Sequence, residues 1–318
     1  MKETIEKYQI YIYFVTILIA ALLTFVVPGT TKLEYLINPT LAFMLFVTFL
    51  QVPLIELKNT FSNGKFIFIL FLTNFVFIPI LVWVLIQIMP LDPLVKLGIV
   101  FVLVTPCIDY VVTFAHLGRA NAPLLLATTP ILLIAQIVLL PIYLNLFFGN
   151  DAAKLVHLRP FLDAFIWLIV VPLTFAGILQ LASKKSVYVT QISNTLSLLP
   201  VPATSLVLFI VIIAVLPQIG PAIDTVYKII PIYIVYAIAA PLIGWYLSSL
   251  FHLDVPSKRA IAFSAGTRNS LVILPLAMAV PNALPVIPAV VITQTLIELF
   301  SELFYVWGIA KLGSGEQF

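Results

Sequence analysis

Long apolar runs, set almost end to end, leave this chain few ways to fold. Ten of them lie at about residues 8–28, 35–55, 65–89, 94–117, 121–148, 160–182, 191–216, 222–250, 257–280 and 284–311. Each reaches the ~20 residues that cross a bilayer as a helix. The linkers are short and marked by Pro, Gly, Asn and charge, as at Pro28-Gly29, Asn63-Gly64, Gly149-Asn150, Lys184-Lys185 and Pro256 to Arg259. None is long enough for a soluble domain, so residues 1–318 read as a single integral membrane domain. Backbone facing lipid must satisfy its own hydrogen bonds, which predicts an all-α membrane protein with ten transmembrane helices. Charged residues make up only 9% of the chain, against about 25% in an average soluble domain.

Basic residues orient the spans. Lys2, Lys7, Lys58, Lys65, Arg119, Lys184, Lys185, Lys258, Arg259 and Lys311 fall on the side that holds both termini. Lys32, Lys96, Lys154, Arg159 and Lys228 fall on the other. Both termini are therefore expected in the cytoplasm, with the chain multi-pass in the plasma membrane. Met1 to Lys7 has mixed charge and leads into a full-length span, unlike a cleavable signal peptide. A net charge of +3 gives no support for a nucleic-acid partner. One cysteine excludes an internal disulfide, and no metal-type Cys/His spacing is present. His116, His157 and His252 lie far apart, each near a span end. Without a Ser-His-acid set or a phosphate loop, no enzyme and no cofactor are expected.

Two places break the apolar pattern from within. Thr105-Pro106-Cys107-Ile108-Asp109 puts the only cysteine, a helix-breaking proline and an acid in the middle of span four. Gly266-Thr267-Arg268-Asn269 puts a base in the middle of span nine. The two neighbourhoods correspond in order. Thr105 pairs with Thr267, and Asn121-Ala122 pairs with Asn282-Ala283 one residue out of step. At the threonine offset, Gln136 falls opposite Glu298 and Tyr143 opposite Tyr305. Five spans per half is odd, so the second copy enters the membrane upside down. This predicts two inverted five-helix repeats, at about 8–148 and 160–311, with spans four and nine broken and crossing near the bilayer midplane. Broken helices with buried acids favour a carrier over a channel. Spans five and ten are expected beside the broken pair, with spans one, two, six and seven as a panel.

The chemistry on offer is small. Cys107 is either an inert buried thiol or a reversible ligand for a thiophilic solute. A single thiol lets go where three would hold too tightly for turnover. Asp109 and Arg268 are each costly at mid-span, on the order of 3 kcal/mol. They read either as a fixed ion pair that specifies the crossing or as a proton-switchable one. Glu298 and Glu302 lie four apart, on one helix face. Glu298 is the deeper and the better proton carrier, whereas Glu302, nearer the cytoplasmic end, reads either as a solvated acid or as a further polar group of the pore. Asn74 and Asn269 complete the buried polar set, with Gln136 and Thr267 lining the same path. Asp163 with Arg159 reads as an ordinary i,i+4 pair.

With Thr105-Pro106-Cys107 in span four, Glu298 in LIELFSELFYV of span ten, and ten spans in two inverted halves, the chain resembles the bile acid:sodium symporter superfamily over essentially its full length. More narrowly it is similar to the arsenite efflux carriers, the arsenical-resistance permeases. That resemblance implies export of arsenite, and possibly antimonite, in exchange for protons. In those carriers the matching cysteine and span-ten glutamate are tied to arsenite transport, which implies Cys107 and Glu298 at the substrate; their usual pattern has neither Asp109 nor Arg268. From the residues themselves, Thr105 and Asn269 are expected beside the substrate, Asp109 and Glu298 as proton carriers, and Arg268 as their fixed countercharge. The sodium-coupled branch places an acid, an amide and a Ser-Asn pair where this chain has Ser264, Arg268, Val111 and Val112. Asn74 still matches the glutamine that precedes Phe in span three of that branch. A guanidinium where a cation should sit implies that the sodium site is lost and that Arg268 replaces the ion. Two other readings stay open at this point. One is an organic-anion carrier in which Arg268 and Asn269 hold a carboxylate or sulfonate; the other is a transporter-like receptor with no net flux.

Overall fold

The computed structural model describes the whole chain except residues 1, 52–62, 109, 150–162, 164–165, 219, 279, 281–284 and 314–318. In chain order come α1 (Lys2–Val26), a 3-10 turn (Thr30–Leu36) leading into α2 (Ile37–Gln51), and α3 (Gly64–Leu72). A π turn (Thr73–Phe77) joins α3 to α4 (Ile78–Ile88), and α5 (Pro93–Leu103), α6 (Val111–Leu117) and α7 (Ala122–Phe148) follow. A second π turn (Ile166–Val170) opens α8 (Val171–Ser183), before α9 (Val187–Leu196) and α10 (Pro200–Val215). Last come α11 (Ile223–Leu250), α12 (Val255–Gly266), α13 (Ser270–Met278) and α14 (Val286–Gly308). No strand occurs among the described residues.

Seven helical segments are long and apolar enough to cross a membrane, or eight if α7, bent by 49°, counts as one span. The bend has a cause: Pro141 has no N–H to give to the carbonyl of Ile137 and its ring crowds that carbonyl. Predicted spans four and nine are not continuous helices. Each is a pair of short ones, α5 with α6 and α12 with α13. Predicted span seven starts too early. Residues 187–196 form the separate α9, which buries no residue. Its Thr190, Gln191, Ser193 and Asn194 suit an aqueous or interfacial surface. The apolar helix α10 starts afresh at Pro200, a residue suited to a first helical turn because its missing N–H would be unpaired there anyway. Asp163 is exposed, and its expected partner Arg159 lies outside the described residues.

The chain divides into two compact units. One comprises residues 1–55, 156–223 and 274–289. There α10 packs against α1 and α2, and α2 against α8. Polar side chains tie the helix ends: Gln180 Nε2 donates to the Phe49 carbonyl (3.0 Å) and Gln51 Nε2 to the Ser197 carbonyl (2.9 Å).

The other unit comprises residues 56–155, 224–273 and 290–318. Its centre is α12, buried at every position from Ser257 to Gly266 and packed against α3, the π turn at Thr73–Phe77, α6 and α7. Small residues permit this. A Cβ on Gly244 of α11 would lie 2.9 Å from the Ile261 carbonyl oxygen and 3.0 Å from Ala262 Cα, so α11 and α12 touch backbone to backbone. Arg259 fastens the start of α12, with Nε and Nη2 donating to the Leu312 carbonyl (3.1 and 2.8 Å) and Nη1 to the Arg119 carbonyl (3.2 Å).

Prolines free backbone carbonyls in this unit, and tyrosines repair them. Pro79 cannot bond the Phe75 carbonyl, four residues back, so the Tyr143 hydroxyl donates to it at 2.6 Å. Pro241 likewise frees the Ala237 carbonyl, and the Tyr305 hydroxyl donates to it. Pro79 and Pro241, Phe75 and Ala237, and Tyr143 and Tyr305 are all separated by the interval that separates Thr105 from Thr267.

Two stability predictions follow from this packing. Gly244→Ala should destabilise by about 1–3 kcal/mol, because the methyl group meets backbone that cannot yield; thermal unfolding in detergent reads this as a lowered Tm. Tyr143→Phe and Tyr305→Phe should each cost about 1 kcal/mol through an unpaired carbonyl, and an unchanged Tm in both would show that the repair is idle.

Candidate functional site

The site is built from two interrupted helices in the second unit. Helix α5 stops because Pro106 cannot continue it, and Thr105 turns its hydroxyl back onto the Phe101 and Val102 carbonyls (2.9 and 3.0 Å). Helix α12 stops at Gly266. There Thr267 adopts an extended backbone (φ −102°, ψ 128°) and turns its hydroxyl onto the Phe263 carbonyl (2.7 Å). A side chain at Gly266 would strike the Tyr305 ring, whose nearest atom is 2.7 Å from the position of a Cβ.

Unwound backbone inside an apolar bundle needs partners, and each break supplies them to the other. Cys107 N–H donates to the Thr267 carbonyl (3.1 Å), and Asn269 N–H donates to the Thr105 carbonyl (2.9 Å). Pro106 and Arg268 thereby form an antiparallel bridge. Thr105 and Thr267 occupy equivalent places in it, as do Cys107 and Asn269. Cys107 is fully buried at this crossing.

Arg268 is 0% exposed. Its guanidinium is caged by oxygens. Nη2 donates to Asn74 Oδ1 (2.8 Å), to the Ala265 carbonyl (2.7 Å) and to the Ser264 carbonyl, and Nη1 is 3.4 Å from the Leu103 carbonyl. The guanidinium carbon also lies 5.9 Å from the centre of the Tyr236 ring, within reach of a cation–π attraction. Nε has no partner among the described residues. Asn74 owes its position to the π turn, which re-aims one face of the helix. Its Nδ2 donates to the Leu70 carbonyl (3.1 Å) and to Ser264 Oγ (3.0 Å), leaving Oδ1 for the arginine. Ser264 thus contributes a carbonyl to the arginine and a hydroxyl to Asn74. Val111 is buried in α6, and Val112 follows it.

Glu298 lies beside the bridge. Its Oε2 accepts from the Arg268 backbone N–H (2.7 Å) and from Gln294 Nε2 (2.6 Å), and its Oε1 accepts from the Tyr110 hydroxyl. Three donors for two oxygens suit an ionised carboxylate. It neutralises the arginine at one remove, through the backbone and not through the guanidinium.

Glu302 overturns its solvated reading. It does not reach water but is 0% exposed, with Oε1 2.5 Å from Thr267 Oγ1 and Oε2 unpartnered among the described residues. Among the described residues Asn269 is buried with its Nδ2 unpartnered, and Gln136 in α7 is buried with its Oε1 unpartnered. Gln136 is not among the donors to Glu298, although the two share a repeat position. Asp109 lies outside the described residues, so its expected pairing with Arg268 has no geometry here. Among the described residues no group of three His, Cys, Asp or Glu side chains is placed to hold a metal ion.

Three participants escaped the sequence reading. Tyr110 and Gln294 hold Glu298, and Tyr236 donates to the Ala265 carbonyl (2.9 Å) beneath the guanidinium. The signal for Gln294 was its place one helical turn before Glu298. Tyr110 follows Asp109 directly but has no counterpart across the repeat. Tyr236 occupies the repeat position of Asn74, and both contact the arginine cage.

No curated protein matches the chain. The Sodium Bile acid symporter family matches residues 38–221, more than half of it, a stretch that includes the Thr105–Asp109 break and ends before Arg268 and Glu298. A multi-pass helical chain, a broken-helix centre and that match agree: the chain belongs to the sodium bile acid symporter family, whose members are membrane transporters and not enzymes.

Proposed function

We propose that the protein is a secondary carrier of the plasma membrane that exports arsenite, and antimonite with it, in exchange for protons by alternating access. The chain crosses the bilayer ten times as two inverted five-helix repeats, with both termini cytoplasmic and with spans four and nine broken and crossing. The recurrence of the crossing hydrogen bonds and of the tyrosine–carbonyl repairs at one sequence interval supports the repeat. The helix pairs α5–α6 and α12–α13 complete the ten.

The observation that carries the reading is the state of Arg268. Its side chain is fully buried, and its terminal nitrogens are spent on uncharged oxygens from Asn74, Ser264, Ala265 and Leu103. Carbonyl and amide oxygens converging on one point are the kind of ligand set that a sodium ion takes, and here a permanent cation fills it. A carrier with its cation built in needs another coupling ion, and the carboxyl groups at the crossing suit a proton. The same engagement weighs against an organic anion held by Arg268, because Nη2 is already shared among three neutral oxygens and is not free for a carboxylate. Family membership favours that second reading, with a bile-acid-like or smaller anion as substrate.

Arsenite suits the thiol. At neutral pH it is mostly uncharged As(OH)3, so no fixed countercharge is needed. The Cys107 thiol can exchange for one hydroxyl, forming an As–S bond and releasing water, and one such bond reverses readily. Thr105, Asn269 and Glu298 stand around the same crossing as polar contacts for the remaining hydroxyls.

Cys107→Ala should abolish arsenite resistance in a sensitive host while leaving expression unchanged; full protection would remove the thiol from the mechanism. In everted vesicles an imposed pH gradient should drive arsenite movement. A sodium gradient at constant pH should not, and sodium-driven movement would overturn the proton coupling. Counterflow with a panel of organic anions in place of arsenite would establish the second reading.

A further inference from the structure

Glu302 has the wrong surroundings for an anion. It is fully buried, and Oε2 has no donor among the described residues. Its one hydrogen-bond contact among the described residues is with Thr267 Oγ1, at 2.5 Å. Thr267 has one hydroxyl proton, and its oxygen also lies 2.7 Å from the Phe263 carbonyl oxygen. Thr105 makes the same back-bond to Phe101 in the equivalent place, with no carboxyl beside it. If Thr267 donates to Phe263, the contact with Glu302 needs a proton from the carboxyl. Then every hydroxyl proton is used: Glu302 donates to Thr267, and Thr267 donates to Phe263. If Glu302 were ionised, two carboxylates one turn apart on α14 would be buried together, one of them with a bare oxygen, a costly arrangement in a water-free interior. Glu298 has three donors and Glu302 has none to spare, so the two acids divide into an ion and a neutral acid.

We propose that Glu302 is a proton-binding site of this protein, occupied in the structure described, and that Thr267 relays its state to the crossing. This rests on the proton-coupled reading above and names its carrier. Among the described residues, the titratable and charged groups that act on Glu302 are Glu298 and Tyr305 on its own helix, and Tyr236 from α11 and Arg268 from the crossing act in turn on Tyr305. The relay is direct. When the proton leaves, the Thr267 hydroxyl must turn from the Phe263 carbonyl to the new carboxylate. The Phe263 carbonyl then keeps only the Thr267 N–H, at 3.0 Å. Thr267 also supplies the carbonyl that holds Cys107 N–H. Proton release at Glu302 thus acts on the residue that fixes the thiol, while Glu298 stays ionised opposite Arg268. The proton returns to the same carboxylate oxygen when the site faces the proton-rich side.

Infrared difference spectroscopy on the full chain in lipid nanodiscs tests this without any substrate. Near neutral pH the wild type should show the C=O stretch of a protonated carboxyl. Glu302→Gln should lose that band, and Glu298→Gln should keep it. Thr267→Val, which has nearly the same shape but cannot accept the proton, should move it to higher frequency. A wild-type spectrum without the band, a band that survives Glu302→Gln, or one unmoved in Thr267→Val overturns the assignment. In vesicles with arsenite as the probe, Glu302→Gln should no longer respond to a pH gradient; a full response would overturn Glu302 as the carrier. If the band behaves as expected but the wild type moves no arsenite under a pH gradient, the proton site stands and the arsenite reading fails.

Discussion

Two backbone hydrogen bonds hold together the broken-helix crossing of the second unit. A helix interrupted inside an apolar bundle exposes N–H and C=O groups that neither lipid nor side-chain packing can satisfy, at several kcal/mol for each group left bare. Here the Thr105–Cys107 and Thr267–Asn269 segments pair with each other. Each break is tolerable because the other exists. The threonines close the helix ends behind them, and the bridge fixes where Cys107, Arg268 and Asn269 stand. Tyrosines do the same work elsewhere in the unit, at carbonyls released by Pro79 and Pro241.

The bridge also sets the electrostatics. With the Arg268 backbone held, its side chain folds back along the end of α12 into oxygens of its own helix and of Asn74, and its N–H turns toward Glu298. Cation and anion are therefore separated by a peptide unit and each is satisfied by neutral dipoles. Such an arrangement keeps both charges without the tight contact that a direct pair would need to break during transport. Seen this way, the proposed carrier has replaced a mobile cation with a tethered one and has left a neighbouring carboxyl to take up the proton.

Much of this was readable from residue types. Uninterrupted apolar runs specify helices in lipid, and Pro106 and Gly266 mark breaks because they disrupt helix continuity in any setting. The matching of Thr105 with Thr267 and of Tyr143 with Tyr305 was visible because equivalent backbone problems recruited the same side chains. Other features were not legible. The solvated reading of Glu302 came from its place toward a helix end. Its burial depends on which face of α14 meets protein, and when the lipid-facing residues are as apolar as the core, periodicity does not tell the two faces apart. The π turn that aims Asn74 leaves no composition signal. The start of α10 was placed too early because Val187 to Leu196 is apolar enough to join the run behind it, although its hydroxyls and amides keep it apart. Tyr110 and Gln294 are unremarkable until Glu298 is seen to need donors.

The central claim is that Arg268 occupies the place of a coupling cation. It is tested most directly by titrating sodium against the purified protein at constant ionic strength, with choline as the replacement ion, and following thermal unfolding. The account predicts no saturable rise in Tm with sodium, because the oxygens that would bind it are already held by the guanidinium. A saturable, sodium-specific stabilisation of the wild type would contradict it.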